Sequence, residues 1–290
     1  MSWITVLVVG GTGESHTGDT RTQVTGLLAA VADELDDRFD CRWIGYPASY
    51  GPAPHRDGMS FTQSVATGAV RLRRALAATT GPVALVGYSQ GAVVIRTALT
   101  ELWADGSPVP SRILGVGLVA DPHQPPGVVP GCDGWGVAGP GVDLPPGVPV
   151  HWVGATDDMI CNAGPDSFVR DIADLTGGMT LAALGRWGSS AWTVLRANSF
   201  QNARRTTVGP SQWRRDVRRL ASAWSEVRCY LPSVIKVSGV RVVNTRGGRH
   251  TCYPTEPYRR ASVTDPVSTG CQVIAQWLQV QATFGGLAAA

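Results

Sequence analysis

Lysine is almost absent from this chain: Lys236 is the only one among 25 basic residues, and the net charge is just +3. An arginine bias of this kind reads as coding composition. With no basic arm and no zinc-type Cys/His spacing, a nucleic-acid partner is excluded. Cysteine is scarce too. Six residues (Cys41, Cys132, Cys161, Cys229, Cys252, Cys271) without a C-x-x-C pair are too few for a disulfide scaffold, and fit either one or two bridges or buried thiols. No apolar run reaches the length of a membrane span, so stable membrane insertion is not expected. The opening MSWITVLVVGGTGES has no basic n-region and no small-residue cleavage site, which excludes a signal peptide and leaves a first core strand. Its Gly10-Gly11-Thr12-Gly13-Glu14 loop lacks the Lys-Ser/Thr of a P-loop and the third glycine spacing of a dinucleotide fingerprint. No internal repeat is visible, and no cofactor or metal is called for.

What is present starts at Val83–Val94. A buried apolar strand runs into Gly87-Tyr88-Ser89-Gln90-Gly91 and straight on into a helical pattern, the setting a G-x-S-x-G nucleophile elbow requires. Ser89 is the candidate nucleophile. With 290 residues and 43% hydrophobic content, the chain has room for a large core around this elbow. Strands are expected at Trp3–Val9, Cys41–Tyr46, Ile113–Ala120 and Val150–Gly154. Helices are expected after two capping boxes, Thr20-x-x-Gln23 and Ser60-x-x-Gln63, and again at Val267–Phe284. Alternation of strand and helix predicts an α/β fold with a central, mostly parallel sheet covered on both faces and chemistry at the carboxyl ends of the strands.

Those ends deliver the remaining candidates. The Gly-rich loop after the first strand suits an oxyanion donor, assigned to the N–H of Thr12 and paired with that of Gln90. Asp157 and Asp158 compete for the acid at the end of the Val150–Gly154 strand; spacing does not separate them. Among the histidines, His16 and His55 lie in early loops, His151 lies inside a strand, and His123 follows the serine too closely, which leaves it a pocket role. Only His250 follows the acid, giving the order Ser, Asp, His of α/β-hydrolases. Gly11, Tyr88 and Met159 join His123 as candidate pocket residues. Between acid and histidine, residues 166–249 hold fourteen basic and five acidic residues and read as helical (Ser167–Leu175, Met179–Leu184, Trp192–Phe200, Gln212–Tyr230). This segment, with Trp187, Trp192, Trp213 and Trp224, reads either as a lid meeting lipid or polysaccharide or as a solvated face over core tryptophans. The division expected is a core of 1–165 and 248–290 with an insertion over 166–247.

Gly-Tyr-Ser-Gln-Gly at 87–91, Asp158-Met159-Ile160-Cys161 and His250 resemble the cutinase family of serine esterases, whose acid stands three residues before a cysteine. The resemblance selects Asp158. The Gly-Gly-Thr-Gly-Glu opening and the long insertion resemble a narrower group, the lysin B endolysins of phages infecting mycolic-acid-containing bacteria; some of these carry an extra N-terminal wall-binding domain, whereas this sequence opens on its first strand. That resemblance implies a mycolyl-arabinogalactan ester as substrate, action on the host envelope after synthesis in the host cytoplasm, and no required protein partner. Cutinases also have a cysteine just before the acid; the nearest here is Cys132, so the resemblance makes Cys132–Cys161 a candidate bridge. Other readings are a cutinase-like or PE-PPE-type esterase of the bacterium, an acyl transferase on the same scaffold, and a virion tail component binding the mycolate surface.

Overall fold

The computed structural model describes residues 3–52, 57–177, 210–237, 240–257 and 264–284. Five strands, β1 (Ile4–Val9), β2 (Phe39–Trp43), β3 (Val83–Tyr88), β4 (Ile113–Val119) and β5 (Val150–Val153), form a parallel sheet in the order β2-β1-β3-β4-β5. The three inner strands β1, β3 and β4 are buried on both faces, which accounts for their near-continuous apolar runs, while the edge strands β2 and β5 are partly exposed. Alternate residues serve opposite cores: Ile4, Val6, Val8, Ala84 and Val86 face one, Leu7, Val9, Val83 and Leu85 the other. Helices α2 (Phe61–Ala78) and α3 (Gln90–Ala104) close the second face, and the C-terminal helix closes the first. This is the α/β-hydrolase class expected. The strand order reverses between β1 and β3, so the carboxyl-end crevice where such sheets bind ligands lies at the Gly-rich loop and the elbow.

The two capping boxes meet different fates. Ser60 accepts from the Gln63 N–H while the Gln63 side chain accepts from the Ser60 N–H, and an 18-residue helix follows. Thr20-x-x-Gln23 starts no helix, and only the four residues of α1 (Ala29–Ala32) are helical there. Local carboxylates take the backbone instead. The Arg21 N–H donates to Asp19, the Leu27 N–H donates to Glu14 Oε1 at 2.6 Å, and Gly26 turns the chain at φ +71°. The second strand starts two residues and ends three residues earlier than expected; Ile44 still donates to the Val8 carbonyl, and Tyr46 turns back to donate its hydroxyl to the Gly10 carbonyl at 2.8 Å.

Beyond β5 come α4 (Phe168–Thr176), α5 (Pro210–Tyr230), a two-stranded antiparallel hairpin of β6 (Val234–Val237) with β7 (Val240–Val243), and α6 (Gly270–Phe284). The hairpin adds strands to a segment read as helical in character, beyond the last of its four named helices. Met179–Leu184, Trp192–Phe200, Trp187, Trp192 and His55 lie outside the described residues. Two arginines of the 166–249 segment, Arg170 and Arg219, are internal, against the solvated-face reading of that segment. Arg170 is fully buried, donates to the carbonyls of Gly136, Trp135, Ala163 and Gly164, and lies 4.1 Å over the Trp135 ring. Arg96 pairs with the buried Asp121 at 2.6 Å and donates to the His123 and Val142 carbonyls, tying the Gly/Pro loop after β4 to α3.

Candidate active site

The turn from β3 into α3 puts Ser89 at φ 52° and ψ −117°, a conformation that costs a non-glycine residue about 1–3 kcal/mol. Gly91 makes the turn possible: a Cβ there would stand 2.1 Å from the Val9 carbonyl oxygen. Gln90 is the first helical residue, so its N–H has no acceptor within α3. Its side chain is drawn the other way, accepting from Ser64 Oγ and donating to the Ser49 carbonyl. The loop after β1 presses against the elbow, since a Cβ on Gly11 would meet the Tyr88 ring at 2.8 Å and Ser89 Cβ at 3.3 Å. Exposed Thr12 follows directly. Glu14 braces this loop by accepting from the Gly11 N–H at 2.7 Å as well as from Leu27.

Ser89 Oγ is 3.0 Å from His250 Nε2, and His250 Nδ1 is 2.9 Å from Asp158 Oδ2 and 3.1 Å from Oδ1. An ionised carboxylate only accepts, which assigns the proton to Nδ1 and leaves Nε2 free to accept from the serine hydroxyl. Of the competing acids, Asp158 is fully buried in this chain of bonds and Asp157 is exposed. Burial pushes the Asp158 carboxyl up, but His250, the Tyr253 hydroxyl and the Ile160 N–H outweigh it and hold the group below the usual carboxylate range. His250 sits on a 3-10 turn (Arg249–Thr251) with Tyr88 on one contact and Tyr230 on another, ring centroids 5.0 and 5.3 Å away.

Tyr253 is a site residue the sequence reading did not single out. Its hydroxyl donates to Asp158 Oδ2 at 2.6 Å and accepts from the Ala155 N–H at 3.0 Å. Burial and the Asp158 charge push the phenol well above its ordinary value, so it remains a donor. Its position three residues after His250, just beyond the Arg249–Thr251 turn, is the signal that points to it. Tyr253→Phe should lower kcat about tenfold at unchanged KM by loosening the acid. It should also cost about 1–3 kcal/mol, because the Ala155 N–H loses a buried acceptor; ester kinetics and a urea midpoint read both.

Not every pocket candidate converges. Tyr88 is buried beneath the histidine, donating its hydroxyl to the His250 carbonyl at 2.8 Å, and so supports that residue without lining a pocket. His123 contacts the Gly139 carbonyl through Nδ1 and lines a cleft of about 390 Å³ with Trp135, Pro126 and Pro140. Met159 packs toward Val137, Ala163, Val169 and Ala223. The Cys132–Cys161 bridge is not formed: the Cys132 thiol is turned to the Gly154 carbonyl at 3.8 Å and the Cys161 thiol to that of Asp158 at 3.6 Å. Among the described residues no cluster of His, Cys, Asp and Glu side chains is arranged to hold a metal ion, and no helix is long and apolar enough to cross a membrane.

The sequence model of the PE-PPE domain matches residues 39–148, less than half the chain; that stretch includes Ser89 and stops before Asp158 and His250. No curated protein matches the sequence. Among solved structures, an acetylxylan esterase is 19% identical, covering 68% of this chain and 98% of its own at a TM-score of 0.45. A cutinase-like protein from Cryptococcus sp. is 18% identical over 67% of this chain and 94% of its own, TM-score 0.40. A Trichoderma reesei cutinase in complex with a phosphonate inhibitor is 18% identical over 67% and 75%, TM-score 0.34.

Proposed function

We propose that this chain is a serine ester hydrolase acting through an acyl-enzyme. The observation that carries the reading is the unbroken hydrogen-bonded chain from Ser89 through His250 to a buried Asp158, mounted on a strained elbow at the switch point of the sheet. In the first half-reaction His250 Nε2 takes the Ser89 proton as Oγ attacks the ester carbonyl, and Asp158 stabilises the imidazolium that forms. The N–H groups of Gln90 and Thr12 receive the negative charge on the carbonyl oxygen. His250 then protonates the departing alcohol. In the second half-reaction it takes a proton from water as the water oxygen attacks the acyl carbonyl, then returns that proton to Ser89 Oγ as the Ser89–acyl bond breaks and the acid leaves.

The substrate we favour is the ester joining mycolic acids to arabinogalactan, cleaved in phage-induced lysis, with 166–247 as an insertion over the core. The pairing of the Gly-Gly-Thr-Gly-Glu loop with a long segment between acid and base supports it. The PE-PPE match over the elbow region favours a second reading, a bacterial lipid esterase acting on simpler acyl esters. Incubation with purified mycolyl-arabinogalactan separates the two: free mycolic acids are expected. Cleavage of p-nitrophenyl esters without mycolate release would leave only the second reading.

A further inference from the structure

Helix α5 has two unlike faces. Its inner face is fastened to the body: buried Arg219 pairs with Asp171, Glu226 accepts from the Gly164 N–H and from Ser167 Oγ, and Ala223 packs with Val137, Ala163 and Val169. Its other face carries Trp213, Val217, Leu220 and Trp224, at spacings of four, three and four, which place them on one stripe about 16 Å long. They are 71%, 46%, 56% and 66% exposed. Ordinary surface helices do not concentrate two tryptophans and two aliphatics in one exposed line. Exposed Arg214 and Arg218 flank the stripe, and neither has an ion-pair partner among the described residues, whereas Arg215 and Arg219 of the same helix are paired with Asp166 and Asp171.

We infer that this face of α5 docks the protein on an anionic lipid surface. The stripe supplies apolar area and two indoles suited to the interface, and the exposed guanidinium groups of Arg214 and Arg218 supply charge complementary to acidic headgroups. The inner-face anchors leave the helix lying along the body, and among the described residues no helix is long and apolar enough to cross a bilayer. Docking there also meets the reaction centre. The C-terminal end of α5 presents Tyr230 to the His250 ring, and the Leu231 carbonyl that follows accepts from the Gly248 N–H at 2.7 Å, at the start of the histidine turn.

Cosedimentation of the full chain with phosphatidylcholine vesicles, with and without phosphatidylglycerol, tests the inference. Binding is expected only with phosphatidylglycerol, and it should weaken in high salt. Trp213→Ser/Trp224→Ser should lower the affinity at least tenfold, and Arg214→Gln and Arg218→Gln about fivefold each. All these variants should hydrolyse a soluble short ester at the unaltered rate. Ser89→Ala should bind vesicles like the unmodified chain, so docking stands or falls apart from the esterase reading. The inference is overturned by absent binding, by equal binding to both vesicles, or by undiminished binding of the tryptophan variant. It is equally overturned if Trp213→Ser/Trp224→Ser converts a dimer to monomers, since the occupant would then be a second copy, or if soluble arabinogalactan alone is captured.

Discussion

Replacing Ser89 with alanine is expected to reduce kcat on a p-nitrophenyl ester by about 10⁴- to 10⁶-fold while leaving the fold in place. In the proposed mechanism Ser89 Oγ forms the acyl bond, and neither the His250 imidazole nor the N–H groups at the elbow can replace it. Stability should change by less than about 1 kcal/mol: alanine bears the same backbone strain at φ 52° as serine does, and only the 3.0 Å bond to His250 Nε2 is lost. Ser89→Gly supplies the control. It should be as inactive as the alanine variant yet more stable than either by about 1 kcal/mol, because glycine relieves the positive φ. Initial rates together with thermal melts separate the chemistry from the strain. A Ser89→Ala protein that retains its rate would remove the acyl-enzyme mechanism.

The elbow was legible because its cues are local: strand periodicity, a serine between glycines, then helical periodicity. What escaped depends on groups distant along the chain. Thr20-x-x-Gln23 and Ser60-x-x-Gln63 are the same pattern, and only the surroundings distinguish them, since Glu14 and Asp19 capture the backbone of the first. Asp157 and Asp158 are chemically identical neighbours, and it is the direction in which the β5 end turns that buries one beside His250. Composition gave the number of arginines but not that Arg96, Arg170 and Arg219 are internal, because the carbonyls and carboxylates receiving them come from loops and, for Arg219, from Asp171 on α4. The β6–β7 hairpin did leave a trace, β-branched residues on both sides of Ser238-Gly239, outweighed in the sequence reading by the helical tone of its neighbours.

Asp158→Asn should cost about 10⁴-fold in kcat through the tautomer it imposes. Asp158 Oδ1 accepts from the Ile160 N–H at 3.0 Å and Oδ2 from the Tyr253 hydroxyl at 2.6 Å. A backbone N–H cannot accept, so the asparagine oxygen must stay on the Ile160 side and the amide NH₂ takes the Tyr253 side, where the hydroxyl can rotate to accept. That NH₂ then faces His250 Nδ1, which must become an acceptor; the proton moves to Nε2 and points at Ser89, leaving no base for the serine hydroxyl. KM should be unchanged. The same variant alters stability against pH. The Asp158 carboxyl is held below its ordinary value in the folded chain, so its ionised form contributes stability that is fully present above about pH 4, the unfolded value, and is lost as pH falls through the folded one. Asparagine lacks that contribution. The stability difference between the two proteins should therefore narrow as urea midpoints are followed downward from pH 6, whereas a gap that widens in acid would mean that Asp158 is not held ionised by His250 and Tyr253.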